Sequence, residues 1–204
     1  MFDMLDELAA IHRSVARDNG TGTVSVSLSR TYPAVAVDVW DALTSSERLP
    51  RWFYPISGDL KVGGSFQLKG NAGGDIRRCD KPTLLEVTFG GPESIVEVRL
   101  VETDGSTSVE LTHSVPLAMA GSGAGALFVG PGWDGALLGL GIHLHGELVG
   151  DPQEAANSPE VIEFNKGSIA KWTTAVESSG TANAEEIAAG REAATAQYTI
   201  VPGH

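Results

Sequence analysis

Residues 130–148 read GPGWDGALLGLGIHLHGEL and combine a helical pattern with a composition that opposes it. The apolar residues recur at the spacing of one helical face, at Trp133, Leu137, Leu140, Leu144 and Leu148. The glycines inside the same stretch are Gly135, Gly139, Gly141 and Gly146. Each costs about 1 kcal/mol relative to alanine, so an isolated helix would lose about 4 kcal/mol. We therefore predict that another layer of the fold holds this helix. Its small residues would allow either a close approach or a void for a ligand.

The composition limits the class of protein. A chain of 204 residues is long enough for one domain with a full core and short for two. The formal charge of −12 argues against a nucleic-acid partner and an anionic membrane, because phosphate binding requires a basic surface. No apolar run approaches the roughly 20 residues that span a bilayer, and the acidic start differs from a signal peptide. With its single cysteine, Cys79, the chain is expected to be cytoplasmic.

The sequence also argues against metals, cofactors and a serine nucleophile. His143 and His145 lie about 200° apart around the axis of the predicted helix, so they cannot share a metal ion. The glycine-rich residues 121–130 lack a P-loop lysine and follow an antiparallel pattern, unlike a nucleotide-binding loop. There is no Gly-x-Ser-x-Gly elbow. We expect no metal and no cofactor.

The first two thirds of the chain predict an antiparallel sheet. Apolar spacing predicts a helix over residues 1–18, and alternation predicts a strand over residues 24–28. Two short helices are predicted within residues 33–53, and strand-like runs separated by glycine and proline turns continue to residue 115. The alternation leaves one face of this sheet apolar, and such a face has to be covered. The helix beginning at Trp133 is the long apolar element available for this.

Five short motifs resemble a known family. They are Val39-Trp40-Asp41-Ala42-Leu43, Trp52-Phe53, Gly63-Gly64, Leu111-Thr112-His113 and Gly132-Trp133. Together with the order of elements, they resemble the START-like (SRPBCC) superfamily. Within it, residues 23–148 are most similar to bacterial homologues of the activator of the heat shock protein ninety ATPase. The resemblance implies an α+β helix-grip fold, in which a curved antiparallel sheet of about seven strands wraps around a long C-terminal helix.

The same comparison divides the chain into a START-like domain and two additions. We assign residues 1–22 to an N-terminal helical extension, residues 23–150 to the helix-grip domain, and residues 151–204 to a C-terminal helical extension of that domain. The glycine- and alanine-rich residues 116–132 are expected to form a mobile lid or entrance. Trp172 and Tyr198 are expected to anchor the C-terminal helices.

The resemblance implies an apolar cavity between the sheet and the long helix, which in the superfamily takes hydrophobic molecules such as lipids and polyketides. The implied lining consists of Trp40, Trp52, Phe66, Leu68, Ile76, Leu85, Phe89, Val98, Leu111, His113, Trp133, Leu137 and Leu140. The adjacent residues Arg77 and Arg78 should point to opposite faces of their strand. We place Arg78 at the rim of the cavity, where it would meet a carboxylate on a ligand.

Three functions remain open at this stage. The favoured one is the binding of a small hydrophobic molecule, oriented by His113 or an arginine. The second is an enzyme of the cyclase or hydrolase type, in which His113 is the weak candidate for the acid or base. That role competes with a core histidine satisfied by a hydrogen bond. The third is a protein that interacts with a chaperone or acts in the stress response. The sheet edges also leave a homodimer open.

Overall fold

The structure is a computed structural model that describes residues 3–146 and 158–199. Its helices are α1 (Met4–Ala9), α2 (Ala36–Thr44), α3 (Leu117–Ala120), α4 (Ala126–Leu144), α5 (Pro159–Ser179) and α6 (Ala184–Tyr198). Its strands are β1 (His12–Asp18), β2 (Thr23–Tyr32), β3 (Ile56–Gly58), β4 (Ser65–Leu68), β5 (Gly73–Asp80), β6 (Leu84–Thr88), β7 (Ile95–Thr103) and β8 (Ser106–Pro116). Two 3-10 turns, Leu49–Arg51 and Gly123–Gly125, complete the described elements.

The eight strands form one antiparallel sheet in the order β1-β2-β8-β7-β6-β5-β4-β3. Alternate residues of β2 and β8, such as Leu28 and Leu111, are buried on one face, as expected for a half-covered sheet. Helix α4 lies on this face, and the Tyr32 hydroxyl donates a hydrogen bond to the Leu137 carbonyl oxygen at 2.7 Å. The α+β fold predicted from the sequence is therefore confirmed, with one strand more than expected.

The glycines of α4 allow neighbouring elements to approach its backbone closely. A Cβ atom on Gly130 would lie 2.4 Å from the Trp172 ring of α5. A Cβ atom on Gly139 would lie 2.9 Å from the backbone oxygen of Trp52. Both distances are below van der Waals contact, so neither position can accept a side chain without movement of its neighbours. Packing on both sides of the helix holds it, despite the low helical preference of its sequence.

The N-terminal prediction is wrong beyond Ala9. Residues 12–18 form β1, which pairs antiparallel with β2 at the edge of the sheet. Ile11 and Val15 are buried and Arg13 between them is half-buried, which is the alternation of a strand. Because Arg13 is charged, the apolar residues alone do not show this period of two. Ile11 and Val15 are left four positions apart, which is also the spacing of a helical face.

Residues 116–132, where a mobile lid or entrance is predicted, are mostly helical. This segment contains α3, a 3-10 turn and the first turns of α4, and Ala124 and Leu127 are buried. The Gly123 amide donates a hydrogen bond to the Thr181 carbonyl oxygen between α5 and α6 at 3.1 Å. The small residues of this segment allow close packing.

The two C-terminal helices pack on α4. Trp172 is fully buried, and the Tyr198 hydroxyl donates a hydrogen bond to the Phe128 carbonyl oxygen at 2.6 Å. These contacts confirm both aromatic residues as anchors. Leu148 and the division proposed at residue 150 lie outside the described residues.

Candidate functional site

An apolar cavity of about 180 Å³ lies between the sheet and α4, and it is called the inner cavity below. All the predicted lining residues except His113 and Arg78 surround it. These residues are Trp40, Trp52, Phe66, Leu68, Ile76, Leu85, Phe89, Val98, Leu111, Trp133, Leu137 and Leu140. The helix and the sheet thus bring together side chains that lie up to a hundred positions apart in the sequence.

Other lining residues were missed from the sequence. They are Leu43, Thr44, Leu49, Phe53, Ile56, Leu60, Cys79, Val87, Val96, Val109 and Ala136. The three valines lie in the alternating pattern of their strands and could have been found from it. Leu49, Phe53, Ile56 and Leu60 belong to a 3-10 turn, irregular segments and a very short strand, so no periodic signal marks them.

Arg78 does not line the inner cavity, so its predicted place is wrong. The register of β5 against β6 shifts between Ile76 and Arg78, which makes Arg77 an additional residue in the strand. The bulge reverses the alternation, so that Cys79 reaches the cavity while Arg78 is exposed and pairs with Asp80, with Nε to Oδ2 at 2.6 Å. A ligand carboxylate would therefore find no arginine partner here.

His113 is a buried histidine with both ring nitrogens in use. Its Nδ1 accepts a hydrogen bond from Trp133 Nε1 at 3.1 Å, so the ring hydrogen is on Nε2, which donates to Ser94 Oγ at 2.8 Å. Burial lowers the pKa of His113 to about 4. The ring is thus neutral at pH 7, and it lies behind Trp133 rather than on the wall of the inner cavity.

The wall of the inner cavity has little polar character and no charged side chain. Trp52 Nε1 donates to the Ala42 carbonyl oxygen at 3.0 Å, and Thr44 Oγ1 donates to the Trp40 carbonyl oxygen at 2.8 Å. The exposed Cys79 thiol is a further polar group of the wall. This surface suits a neutral apolar molecule.

Two further cavities adjoin the inner cavity. A cavity of about 490 Å³, the outer groove, lies between α4, α5 and the irregular segment that contains Phe53 and Tyr54. A cavity of about 330 Å³, the side cavity, borders His113, Phe128 and the Phe53–Tyr54 segment. The outer groove is larger than the inner cavity, and aromatic side chains border the inner cavity together with each of the other two.

Asp134 forms a buried polar cluster that the sequence analysis missed. Its Oδ2 accepts hydrogen bonds from Arg13 Nε at 2.9 Å, Ser168 Oγ at 2.6 Å and Trp172 Nε1 at 3.1 Å. Burial raises the pKa of Asp134, against the opposite effects of the Arg13 guanidinium and the other donors. The cluster joins β1, α4 and α5, and we assign it a structural role because the carboxylate is fully buried and lines none of the three cavities described above.

A second buried charge pair lies at the other end of α4. Arg30 continues the inward alternation of β2, forms an ion pair with Glu7 of α1, and lies 4.7 Å from the centre of the Tyr32 ring. Gly141 faces this pair, where a Cβ atom would lie 3.1 Å from Arg30 Nη1. Extending the alternation of β2 beyond Leu28 would have found Arg30.

Residues 3–146 and 158–199 contain no group of three or more histidine, cysteine or acidic residues arranged to hold a metal ion. His143 accepts a hydrogen bond from Arg48 Nε at 3.3 Å instead. One helix in this part of the chain, Gly123–Leu144, is long and apolar enough to cross a membrane. It is the core helix that covers the sheet, and its apolar character is explained by that burial.

The sequence matches an established family over the part that forms this cavity. The model of the family described as activator of Hsp90 ATPase homolog 1-like protein matches residues 33–143. The chain belongs to this AHSA1-like family. The match runs from the turn before α2 to the end of α4, so it includes the helix and the sheet strands that line the inner cavity.

Solved structures of similar proteins agree with this membership. CalU16 from Micromonospora echinospora is 34% identical; its crystal structure has a TM-score of 0.66 and the match covers 82% of this chain and 98% of CalU16. A conserved protein of unknown function from Enterococcus faecalis, EF2215, is 19% identical with a TM-score of 0.60, over 84% of this chain and 95% of EF2215. The latter likeness shows the fold alone. No curated protein matches this AHSA1-like chain.

A further AHSA1-like structure was determined as a dimer. This is the Aha1 dimer from Colwellia psychrerythraea, which is 18% identical to this chain with a TM-score of 0.48. The match covers 59% of this chain and 95% of that protein.

Proposed function

We propose that this AHSA1-like protein binds a small, neutral, apolar molecule in the inner cavity, and that it does so in the cytoplasm. The observation that carries the proposal is a cavity between sheet and helix whose wall is apolar and has no charged side chain. Burial of apolar surface provides the affinity in such a site, and the few polar groups set the orientation.

The volume of the cavity limits the ligand. An apolar cavity of about 150 Å³ in another protein stays dry and binds benzene. The inner cavity, at about 180 Å³, has room for a molecule of similar size, such as a substituted benzene ring or a short branched hydrocarbon. Pockets for drug-sized ligands are larger, about 300–1,000 Å³.

The electrostatics of the cavity favour a neutral ligand over an ionised one. An unpaired ionised group is very costly to bury, and Arg78 is not available to compensate a carboxylate. We therefore expect toluene to bind and benzoate, its carboxylate analogue, not to bind.

Binding can be tested by thermal shift and by NMR titration with toluene, with benzoate as the charged comparison. Val98→Phe fills space on the wall of the inner cavity and should weaken toluene binding by about tenfold or more. Val101→Phe is the matched control, because Val101 lies on the same strand with 62% of its surface exposed. Equal toluene binding in both variants, or no binding to the wild type, would contradict the proposal.

The enzymatic alternative receives less support from the geometry. A general base needs a free nitrogen near the substrate, and both ring nitrogens of His113 are engaged by Ser94 and Trp133. The low pKa of His113 also makes the ring a poor base at pH 7. The binding function requires no free acid or base, only the apolar wall that the cavity has.

A chaperone interaction or a stress-response role is supported by the family description alone. A direct binding assay with a bacterial homologue of the chaperone would test it. Within the described residues, β1 and β3 lie at the two edges of the sheet, and a homodimer would use one of these edges. Sedimentation of the purified protein over a range of concentrations would detect it.

A further inference from the structure

We infer that the side chain of Phe53 sets the upper size limit of the ligand by separating the inner cavity from the outer groove. The inference rests on the proposed binding function and names a residue that determines its specificity. Within the described residues, Phe53 is the one residue that borders the inner cavity, the outer groove and the side cavity together.

Phe53 has a fixed backbone and a side chain without a polar tether. Its amide donates a hydrogen bond to the Leu49 carbonyl oxygen at 2.9 Å, at the end of the 3-10 turn. The ring is half-buried and is flanked by the rings of Trp52 and Tyr54, with centroids 5.4 Å and 4.8 Å away. The phenyl group can therefore change rotamer without breaking a hydrogen bond.

The other shared wall residues cannot move in this way. Trp52 and Ala136 are the remaining residues that border both the inner cavity and the outer groove. The Trp52 indole is held by its hydrogen bond to the Ala42 carbonyl oxygen, and Ala136 has a single methyl group. Of the residues between the inner cavity and the outer groove, Phe53 is thus the one whose side chain can move.

Helix α4 leaves free space in the outer groove, on the side of Phe53 opposite the inner cavity. Gly132, Gly135 and Gly139 line the outer groove, and a Cβ atom on Gly135 would have no atom within 4 Å. The outer groove, at about 490 Å³, is larger than the inner cavity. Displacing or removing the Phe53 ring would join the two spaces and admit a ligand with a second ring.

The test compares a small and a large neutral probe. Toluene binding is followed by NMR, and the binding of N-phenyl-1-naphthylamine is followed by its fluorescence. Phe53→Ala should increase the affinity for N-phenyl-1-naphthylamine by about tenfold, since more apolar ligand surface is buried. Phe53→Leu, which keeps an apolar side chain, should give a smaller increase and provides a second variant if Phe53→Ala folds poorly.

Two controls distinguish the partition from a general opening of the fold. Met119→Ala shortens an apolar side chain that is 60% exposed and lines none of the three cavities, so it should leave both affinities unchanged. Gly135→Leu fills the outer groove, and when combined with Phe53→Ala it should abolish the gain for the large probe.

The outcomes separate the inference from the proposed function. If the wild type binds toluene but Phe53→Ala and Phe53→Leu show no gain for the large probe, the inference is wrong and the proposed function stands. A gain that persists in Phe53→Ala/Gly135→Leu also overturns it, because the probe would then lie elsewhere. If the wild type binds no apolar probe, the proposed function fails and the inference fails with it.

Discussion

Replacing Gly130 with alanine should destabilise the protein, whereas the same replacement at Gly135 on the same helix should stabilise it. The replacement gains about 0.5–1 kcal/mol in helical preference at Gly135 and less at Gly130, because Pro131 follows and disfavours helical backbone for a residue with a Cβ atom. At Gly135 nothing lies within 4 Å of the new methyl group, so the gain is kept. At Gly130 the methyl group would lie 2.4–2.7 Å from atoms of the Trp172 indole, which must move.

The cost at Gly130 has two parts. Overpacking in a close-packed interior costs about 1–3 kcal/mol. Moving the indole of Trp172 also weakens its 3.1 Å hydrogen bond to Asp134, which is worth about 1 kcal/mol. After subtraction of the helical gain, Gly130→Ala should lose about 1–3 kcal/mol.

Equilibrium unfolding in urea, followed by circular dichroism, measures both changes. Each kcal/mol should also shift the Tm by about 2–4 °C in a chain of this size. If Gly130→Ala were as stable as the wild type, the close approach of α5 would not be the reason for a glycine there. If Gly135→Ala were destabilised, the space beside it would not be open.

Two further perturbations test the buried polar groups. Asp134→Ala leaves the Arg13 guanidinium buried without its partner and should cost about 3–5 kcal/mol in urea unfolding; the double variant Arg13→Met/Asp134→Leu should recover much of this loss. The pKa of His113 is about 4 in the folded protein and about 6.5 for an ordinary histidine, so the unfolded chain binds more protons between these pH values. Stability should therefore be complete above pH 6.5 and fall as the pH drops towards 4, and His113→Gln should remove most of this dependence; an equal slope in the variant would contradict it.

The parts of the fold that could be predicted are those with a regular period. Alternation in β7 and β8 identified residues such as Val98 and Leu111, and the three-four spacing of α4 identified Trp133, Leu137 and Leu140. These patterns are local, and burial on one face of a strand or helix produces them directly. The inner cavity itself was implied by the family resemblance, and these patterns agree with it for the residues that lie in β7, β8 and α4.

The errors arose where an additional residue reverses the in-and-out alternation of a strand, or where a charged residue interrupts its apolar pattern. The bulge at Arg77 turned Arg78 outwards and Cys79 inwards, and no glycine or proline in the sequence marks this position. Arg13 concealed β1 because its compensating carboxylate, Asp134, lies far away in the sequence. Pairing between residues that lie far apart in the chain leaves no local pattern in a single sequence.

The C-terminal helices contribute to the site without lining the inner cavity. Helix α4 has too many glycines to be stable alone, and it is held from the sheet side by contacts such as that of Tyr32 with Leu137. It is held from the other side by α5, through Trp172 against Gly130 and through Asp134. Because the glycines that admit α5 are also those that weaken the helix, the position of the cavity roof depends on that helix being present. The same sequence feature thus explains both the close packing of the Trp172 ring at Gly130 and the open space beside Gly135 in the outer groove.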